Sequence, residues 1–131
     1  MIIKVFPDKE KVNSILNLIK DRENFVSSID PEKFATIVAE NYYEIIKELA
    51  TALLLINGFK AAGENAHKDL IDSLLKYGFG EEEVMLMNDL RIKRNKSSYE
   101  GRQINKIYLQ TKKNKFLYLI KKLKDAINRL R

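Results

Sequence analysis

The chain has 131 residues, of which 24 are Lys or Arg, 18 are Asp or Glu and one is His, so its formal net charge is +6 at pH 7. The absence of cysteine excludes disulfides, thiolate metal sites and cysteine nucleophiles, and a lone histidine excludes a multi-histidine metal site within one chain. No apolar run approaches the ~18 residues of a membrane span, and residues 1–6 are too short for a signal peptide. We therefore expect one soluble, cytoplasmic domain over residues 1–131, without a metal or cofactor and without a membrane partner.

The charge is unevenly distributed along the chain. Residues 91–131 carry 14 basic and two acidic residues, a net charge of +12, whereas residues 1–90 carry 10 basic and 16 acidic ones, a net charge of −6. Such asymmetry predicts that the C-terminal third faces a polyanion or an acidic partner. The same lysines would also suit the solvated face of a helix.

The first 30 residues predict an apolar arm followed by a helix. Residues 1–6 form the arm, which would pack beside the bundle or across a dimer. Asp8 is placed to cap the helix, and apolar residues then recur at helical spacing: Val12, Ile15, Leu16, Ile19 and Val26.

The second predicted helix is the longest, from Pro31 to about Asn57, with Asp30 as its cap. Its apolar stripe is broad and includes Phe34, Ile37, Val38, Tyr42, Ile45, Ile46, Leu49, Leu53 and Ile56. Tyr43, Leu54 and Leu55 widen that stripe beyond what one neighbouring helix would cover. Such a surface marks either a central helix or one whose second side meets another subunit.

A shorter helix is predicted from Ala66 to Tyr77, capped by Asn65 and ended by the glycines at 78 and 80. His67 lies in its first turn, where a histidine is usually structural or exposed. Three consecutive glutamates, residues 81–83, then favour the start of the next helix because anionic side chains stabilise the positive end of a helix.

The final helix shows an irregular apolar pattern. Residues Ile104 to Thr111 place their apolar side chains on one face, and those from Phe116 to Leu130 lie on another, so we expect a kink or two helices at residues 112–115. Lys121, Lys122 and Lys124 on its polar arc are predicted to contact RNA. No strand alternation, glycine-rich phosphate loop or internal repeat is present. The predicted fold is an all-α, up-and-down bundle of four or five helices.

The stretch from Asp89 to Gly101 holds the candidate site. Arg94 continues the apolar stripe of the fourth helix, which predicts a packed stem and a guanidinium aimed into a groove or a partner. Asn88, Arg91 and Asn95 share the adjoining polar face at helical spacing. This donor-rich surface suits phosphate or a carboxylate, although a solvated helix end would have the same composition.

Arg94-Asn95 is followed by three residues and then an aromatic one, after a leucine-bearing helix and before another long helix, and this pattern resembles the signature of the HEPN domain family. The resemblance runs from about Pro31 to the end of the chain, and it implies a helical bundle of about this length. Family members that cleave RNA do so without a metal, and the signatures of their two subunits meet at a dimer interface. Small members are often paired with a minimal nucleotidyltransferase in toxin–antitoxin modules. Here Tyr99 stands where the family has its histidine.

Two functions are therefore weighed. One is metal-independent cleavage of RNA by Arg94 and Tyr99 at a homodimer interface; but tyrosine has a pKa near ~10, and loss of a general base typically removes about 10²–10⁴-fold of rate. The other, which we favour, is a HEPN-like module in a toxin–antitoxin or defence setting that binds RNA or a nucleotide with little or no catalysis. Arg91, Asn95 and Asn88 would contribute to binding with the three C-terminal lysines.

Overall fold

The computed structural model describes residues 1–131 and is built from five α-helices and one small sheet. In chain order the elements are β1 Ile2–Lys4, α1 Lys9–Ser27, α2 Ala35–Ile56, β2 Phe59–Ala61, α3 Ala66–Asp72, α4 Glu81–Glu100 and α5 Lys106–Leu130. A short 3-10 helix, Ser73–Tyr77, extends α3. The prediction of an all-α helical bundle is confirmed. None of its helices combines the length and the apolar character needed to cross a membrane.

Helix α2 occupies the centre of the bundle. It packs against α1, α5, α4 and α3, and 12 of its 22 residues are buried. The broad apolar surface read from the sequence is thus used within the chain, because four neighbouring helices cover it from different sides. Thirty buried hydrophobic residues from all parts of the chain form one continuous core around it.

Local hydrogen bonds set the starts of α1 and α2, and the predicted start of α2 was wrong. The Asp8 carboxylate accepts a hydrogen bond from the Lys11 backbone N–H at 3.0 Å, so the predicted cap of α1 is confirmed. Helix α2 begins at Ala35 instead of Pro31. The Asp30 carboxylate accepts from the backbone N–H of Glu32, and the Asp30 carbonyl from that of Phe34. These bonds close a separate turn before the helix starts.

The N-terminal arm is a strand, which the sequence did not predict. Residues 2–4 pair antiparallel with β2, with Ile2 opposite Ala61 and Lys4 opposite Phe59. The arm therefore packs beside the bundle. Gly58 begins the exit from α2 with φ of +84°, and a Cβ there would lie 3.2 Å from the Val5 carbonyl oxygen. Three-residue strands are too short to show an alternation of polar and apolar residues, which explains why the pattern was missed.

The predicted side-chain cap of α3 was wrong, and so was one of the two alternatives for the final helix, its division into two helices. Asn65 makes no side-chain hydrogen bond to the start of α3, which ends at Asp72 before the 3-10 helix. Helix α5 runs unbroken from Lys106 to Leu130. The apparent rotation of its apolar stripe arose because Ile104 lies in the preceding loop and Ile107 is 63% exposed, so neither belongs to the buried face of the helix.

Candidate functional site

A band of half-buried polar side chains lies where α2 and α4 meet. Helix α2 contributes Glu40, Glu44 and Lys47, and α4 contributes Arg94 and Ser97; we call these five residues the polar seam. Arg94 Nη2 lies 2.8 Å from Glu44 Oε1, and the Ser97 hydroxyl donates to Glu40 Oε2 at 2.8 Å. Since higher numbers on α4 meet lower numbers on α2, the two helices run antiparallel. The seam replaces apolar packing along this contact with charged groups.

The seam holds Arg94 in an inward position. Its side chain is only 22% exposed, that of Glu44 21%, and its guanidinium carbon lies 5.5 Å from the centre of the Tyr43 ring. Lys47 Nζ reaches the other carboxylate oxygen of Glu44 at 2.8 Å. The Arg94 fork thus points to a carboxylate of its own chain. A carboxylate already neutralises much of its charge.

Protonation in the seam is governed by burial and by these cations. Burial alone would raise the pKa of Glu44, but the hydrogen bond from Lys47 and the charges of Lys47 and Arg94 hold it below its ordinary value. Burial raises the pKa of Tyr43 to about 12 against the opposing charges of Arg94 and Arg91. The Tyr43 hydroxyl is buried and has no hydrogen-bond partner. At neutral pH Glu44 in the seam is therefore ionised, and Tyr43 beside the seam is protonated.

Arg91 is oriented by a chain of polar contacts from α3. Lys68 Nζ lies 2.6 Å from Asp72, whose other oxygen accepts from the Asn88 amide at 2.7 Å, and Asn88 in turn accepts from Arg91 Nε at 3.1 Å. Burial opposes ionisation of Asp72, but hydrogen bonds from Lys68 and Asn88 keep its pKa low. The terminal N–H groups of Arg91 make no hydrogen bond or ion pair. Its guanidinium is thus held in place and still has free donors.

Arg91, Asn95 and Tyr99 follow one another at one-turn intervals along α4; we call them the α4 row. Neither the Asn95 amide nor the Tyr99 hydroxyl makes a hydrogen bond within the chain, and Tyr99 is 79% exposed. The structure thus brings Arg91, Asn95, Asn88 and Tyr99 together, as the sequence analysis expected. Arg94 is separated from them because it turns inward.

The three C-terminal lysines are each paired with a carboxylate of the chain. Lys121 pairs with Asp125 on its own helix at 2.9 Å. Lys122 reaches Glu83 on α4 at 2.7 Å, whereas Lys124 reaches Glu23 on α1. Each ammonium group has a carboxylate partner, and the three partners lie on three different helices. Their formal charge is largely compensated within the chain.

His67 lies closer to the seam than its place in the sequence indicated. Burial and the positive charges of Lys47 and Arg94 lower its pKa, although Glu44 acts in the opposite direction. The imidazole is therefore neutral at pH 7. Sequence reasoning missed this neighbourhood, and it also missed Glu44 and Lys47. Their signal was present, because charged residues interrupt the apolar helix α2 at helical spacing.

Searches against protein-family models, curated proteins and solved structures found no match for this chain. The resemblance to HEPN domains stays a prediction from the sequence. No group of three or more His, Asp or Glu side chains is arranged to hold a metal ion.

Proposed function

We propose that the protein is a HEPN-like module that binds single-stranded RNA or a nucleotide through the α4 row, without efficient cleavage. The observation that carries this proposal is the state of Arg91. Asn88 and Asp72 fix its orientation through Nε, and its terminal N–H groups are unpaired. A guanidinium held in this way loses little side-chain entropy when it forms a two-point contact with a phosphate.

The rest of the α4 row suits the same ligand. The Asn95 amide lies one turn beyond Arg91 and can donate to a second phosphate or to a base edge. Tyr99, one further turn along, offers an exposed ring on which a base can stack, as single-stranded RNA binders commonly do. The order along α4 is thus a charged donor, a neutral donor and an aromatic surface.

Two observations support binding over cleavage. Arg94, which would have to stabilise charge on a phosphorane, is engaged by Glu44. Tyr99 makes no hydrogen bond to any group of the chain that would activate its hydroxyl as a base. Metal-independent cleavage by Arg94 and Tyr99 is the alternative, and it requires that a second subunit or the RNA itself rearrange both residues.

An exposed apolar stripe on α4 supports a homodimer. Met85, Ile92 and Tyr99 follow one another at seven-residue intervals and are 70%, 44% and 79% exposed. An antiparallel pair of α4 helices centred on Ile92 would place Met85 of each copy against one face of the Tyr99 ring of the other, and the opposite face of that ring would stay open to a base. The toxin–antitoxin or defence setting and a nucleotidyltransferase partner follow from the HEPN resemblance.

The test compares two single substitutions that remove one cation each. We expect Arg91→Ala to weaken the affinity for a fluorescein-labelled single-stranded RNA about tenfold, because it removes a charge-assisted contact. Lys121→Ala, the matched control, changes affinity less than twofold. Fluorescence anisotropy at several salt concentrations measures both, and each lost phosphate contact lowers the salt slope by about 0.7. An equal effect of the two substitutions would place binding elsewhere, and rapid RNA cleavage by the wild type in EDTA would favour the enzyme.

A further inference from the structure

A second basic feature lies at the end of the bundle that carries the small sheet. It is a cavity of about 230 Å³ between α1, α2, β2 and α3, and none of its lining residues lies on α4. We call it the basic cavity. Its lining consists of Lys11, Thr51, Leu54, Leu55, Lys60, Ala61, Ala66, His67 and Leu70. It is therefore distinct from the α4 row.

The rim and the floor of the basic cavity differ in chemistry. Lys11, Lys60 and His67 come from three different elements and are exposed. Leu54, Leu70 and the other apolar residues are buried or half-buried and provide a floor. The lining contains no carboxylate. A ligand that fits must therefore combine an anionic group with an uncharged, partly apolar body.

Several lysines of this protein have a carboxylate partner, whereas the two rim lysines have none. Lys47, Lys68, Lys122 and Lys124 each lie within 4 Å of a carboxylate. Lys11 and Lys60 have no such partner although they border the same cavity. Two cations that border one cavity without a counter-charge favour an anion between them.

We propose that the basic cavity binds a small phosphate monoester. The phosphate lies at the rim between Lys11, Lys60 and His67, and its organic group lies on the leucine floor. Phosphate matches the rim because it is close to dianionic at pH 7, with a second pKa near ~6. The volume is below the ~300–1,000 Å³ typical of sites for drug-sized ligands, which indicates a ligand with about one ring. This proposal does not depend on RNA binding.

His67 makes the proposal directly measurable. It is the only histidine of the chain, so its imidazole gives one unambiguous pair of carbon-bound proton signals in NMR. The charges of Lys47, Arg94, Glu44 and Arg91 act on its pKa, and two further cations, Lys11 and Lys60, line the same cavity. Cations predominate, and a bound dianion would offset them and favour the imidazolium.

The experiment titrates the protein with phenyl phosphate and follows the His67 signals between pH 5 and pH 8. We expect saturable binding that raises the pKa of His67. Lys11→Ala and Lys60→Ala each weaken the affinity roughly tenfold, since each removes a charge-assisted contact. Lys20→Ala, an exposed lysine of α1 outside the cavity, leaves it unchanged. Inorganic phosphate binds more weakly than phenyl phosphate because it does not cover the floor, and benzyl alcohol does not bind.

Two results would overturn the proposal. One is a His67 pKa that phenyl phosphate does not shift, and the other is an equal loss of affinity in Lys20→Ala and Lys60→Ala. The variants remove exposed side chains, so their folds are expected to survive, and far-ultraviolet circular dichroism checks this. Tyr99→Ala separates the two proposals, because Tyr99 neither lines the cavity nor shifts the His67 pKa, so the substitution should weaken RNA binding and leave phenyl phosphate affinity unchanged. If only RNA binding is absent, the proposal for the α4 row is wrong. If only phenyl phosphate binding is absent, the proposal for the basic cavity is wrong.

Discussion

The C-terminal end of α5 and the outward face of α4 are both basic in sequence, yet the fold treats their charges differently. On α5, Lys121, Lys122 and Lys124 each meet a carboxylate, from α5 itself, from α4 and from α1. On α4, Arg91 is oriented by a neutral amide and keeps its terminal donors free. A basic stretch of sequence therefore determines only the formal charge. The charge available to a ligand depends on which acidic residues pack against that stretch in the folded protein.

The same contrast exists within α4 between two arginines three residues apart. Arg94 faces α2 and is neutralised by Glu44, and Arg91 lies beyond the edge of that contact. One holds helices together, and the other is available to a ligand. The following substitutions test that division, from the largest expected effect to the smallest.

The largest effect is expected on association through the outward face of α4. Ile92→Asp places two carboxylates at the centre of the proposed antiparallel pair, and we expect it to raise the dimer dissociation constant about 100-fold, in the range of a central interface residue. Sedimentation equilibrium measures this against the 15.3 kDa monomer. Tyr118→Asp on α5, also at an exposed aromatic or apolar position, is the control. A wild type that is already monomeric at micromolar concentration would contradict the dimer.

The second expected effect is a larger loss of protein stability on substitution of Arg94 than on substitution of Arg91. Arg94→Ala leaves the half-buried Glu44 carboxylate with fewer partners, so we expect it to lower the free energy of unfolding by about 2 kcal/mol, less than the ~3–5 kcal/mol of a fully buried pair. Arg91→Ala should cost under ~0.5 kcal/mol. Urea denaturation monitored by circular dichroism gives both values. Similar losses of unfolding free energy in the two variants would mean that Arg94 does not stabilise the fold more than Arg91 does.

The third expected effect is an increase in the stability of the protein. The Tyr43 hydroxyl is buried beside the seam without a hydrogen-bond partner, so its desolvation is uncompensated. We expect Tyr43→Phe to stabilise the protein by about 1 kcal/mol in the same urea assay. Tyr42→Phe provides a comparison at a neighbouring buried tyrosine that is not among the unpartnered groups. Destabilisation by Tyr43→Phe would show that the hydroxyl has a partner, such as a bound water.

The smallest effect concerns pH. The folded-state pKa of Glu44 is lowered, so the seam contributes stability that is complete above the unfolded pKa of glutamate, near ~4.3, and is lost as pH falls through the lower folded pKa. Glu44→Gln removes this contribution, and its stability should fall less steeply than that of the wild type below about pH 4. Urea midpoints at pH 3 to pH 7 measure the difference. Parallel curves for the two proteins would place the acid sensitivity in other carboxylates.

Much of the helical architecture could be predicted from the sequence because helix signals are local. Asp8 caps α1 through a contact three residues away, and Gly101 ends α4 with φ of +70°, a conformation that glycine adopts without strain. The broad apolar stripe of α2 identified the central helix. The inward turn of Arg94 was predicted as well, since that residue continues the apolar face of α4.

Only the tertiary structure decided which charges remain available. Lys124 meets Glu23 across 101 positions of the chain, and Arg94 meets Glu44 across 50. The pairing of β1 with β2 and the approach of His67 to the seam also join distant segments. Periodicity shows which face of a helix is polar, but it carries no information about the helix that will lie against that face. The physical reason is that capping and amphipathicity act within a few turns, whereas neutralisation depends on distances that exist only after the helices have packed.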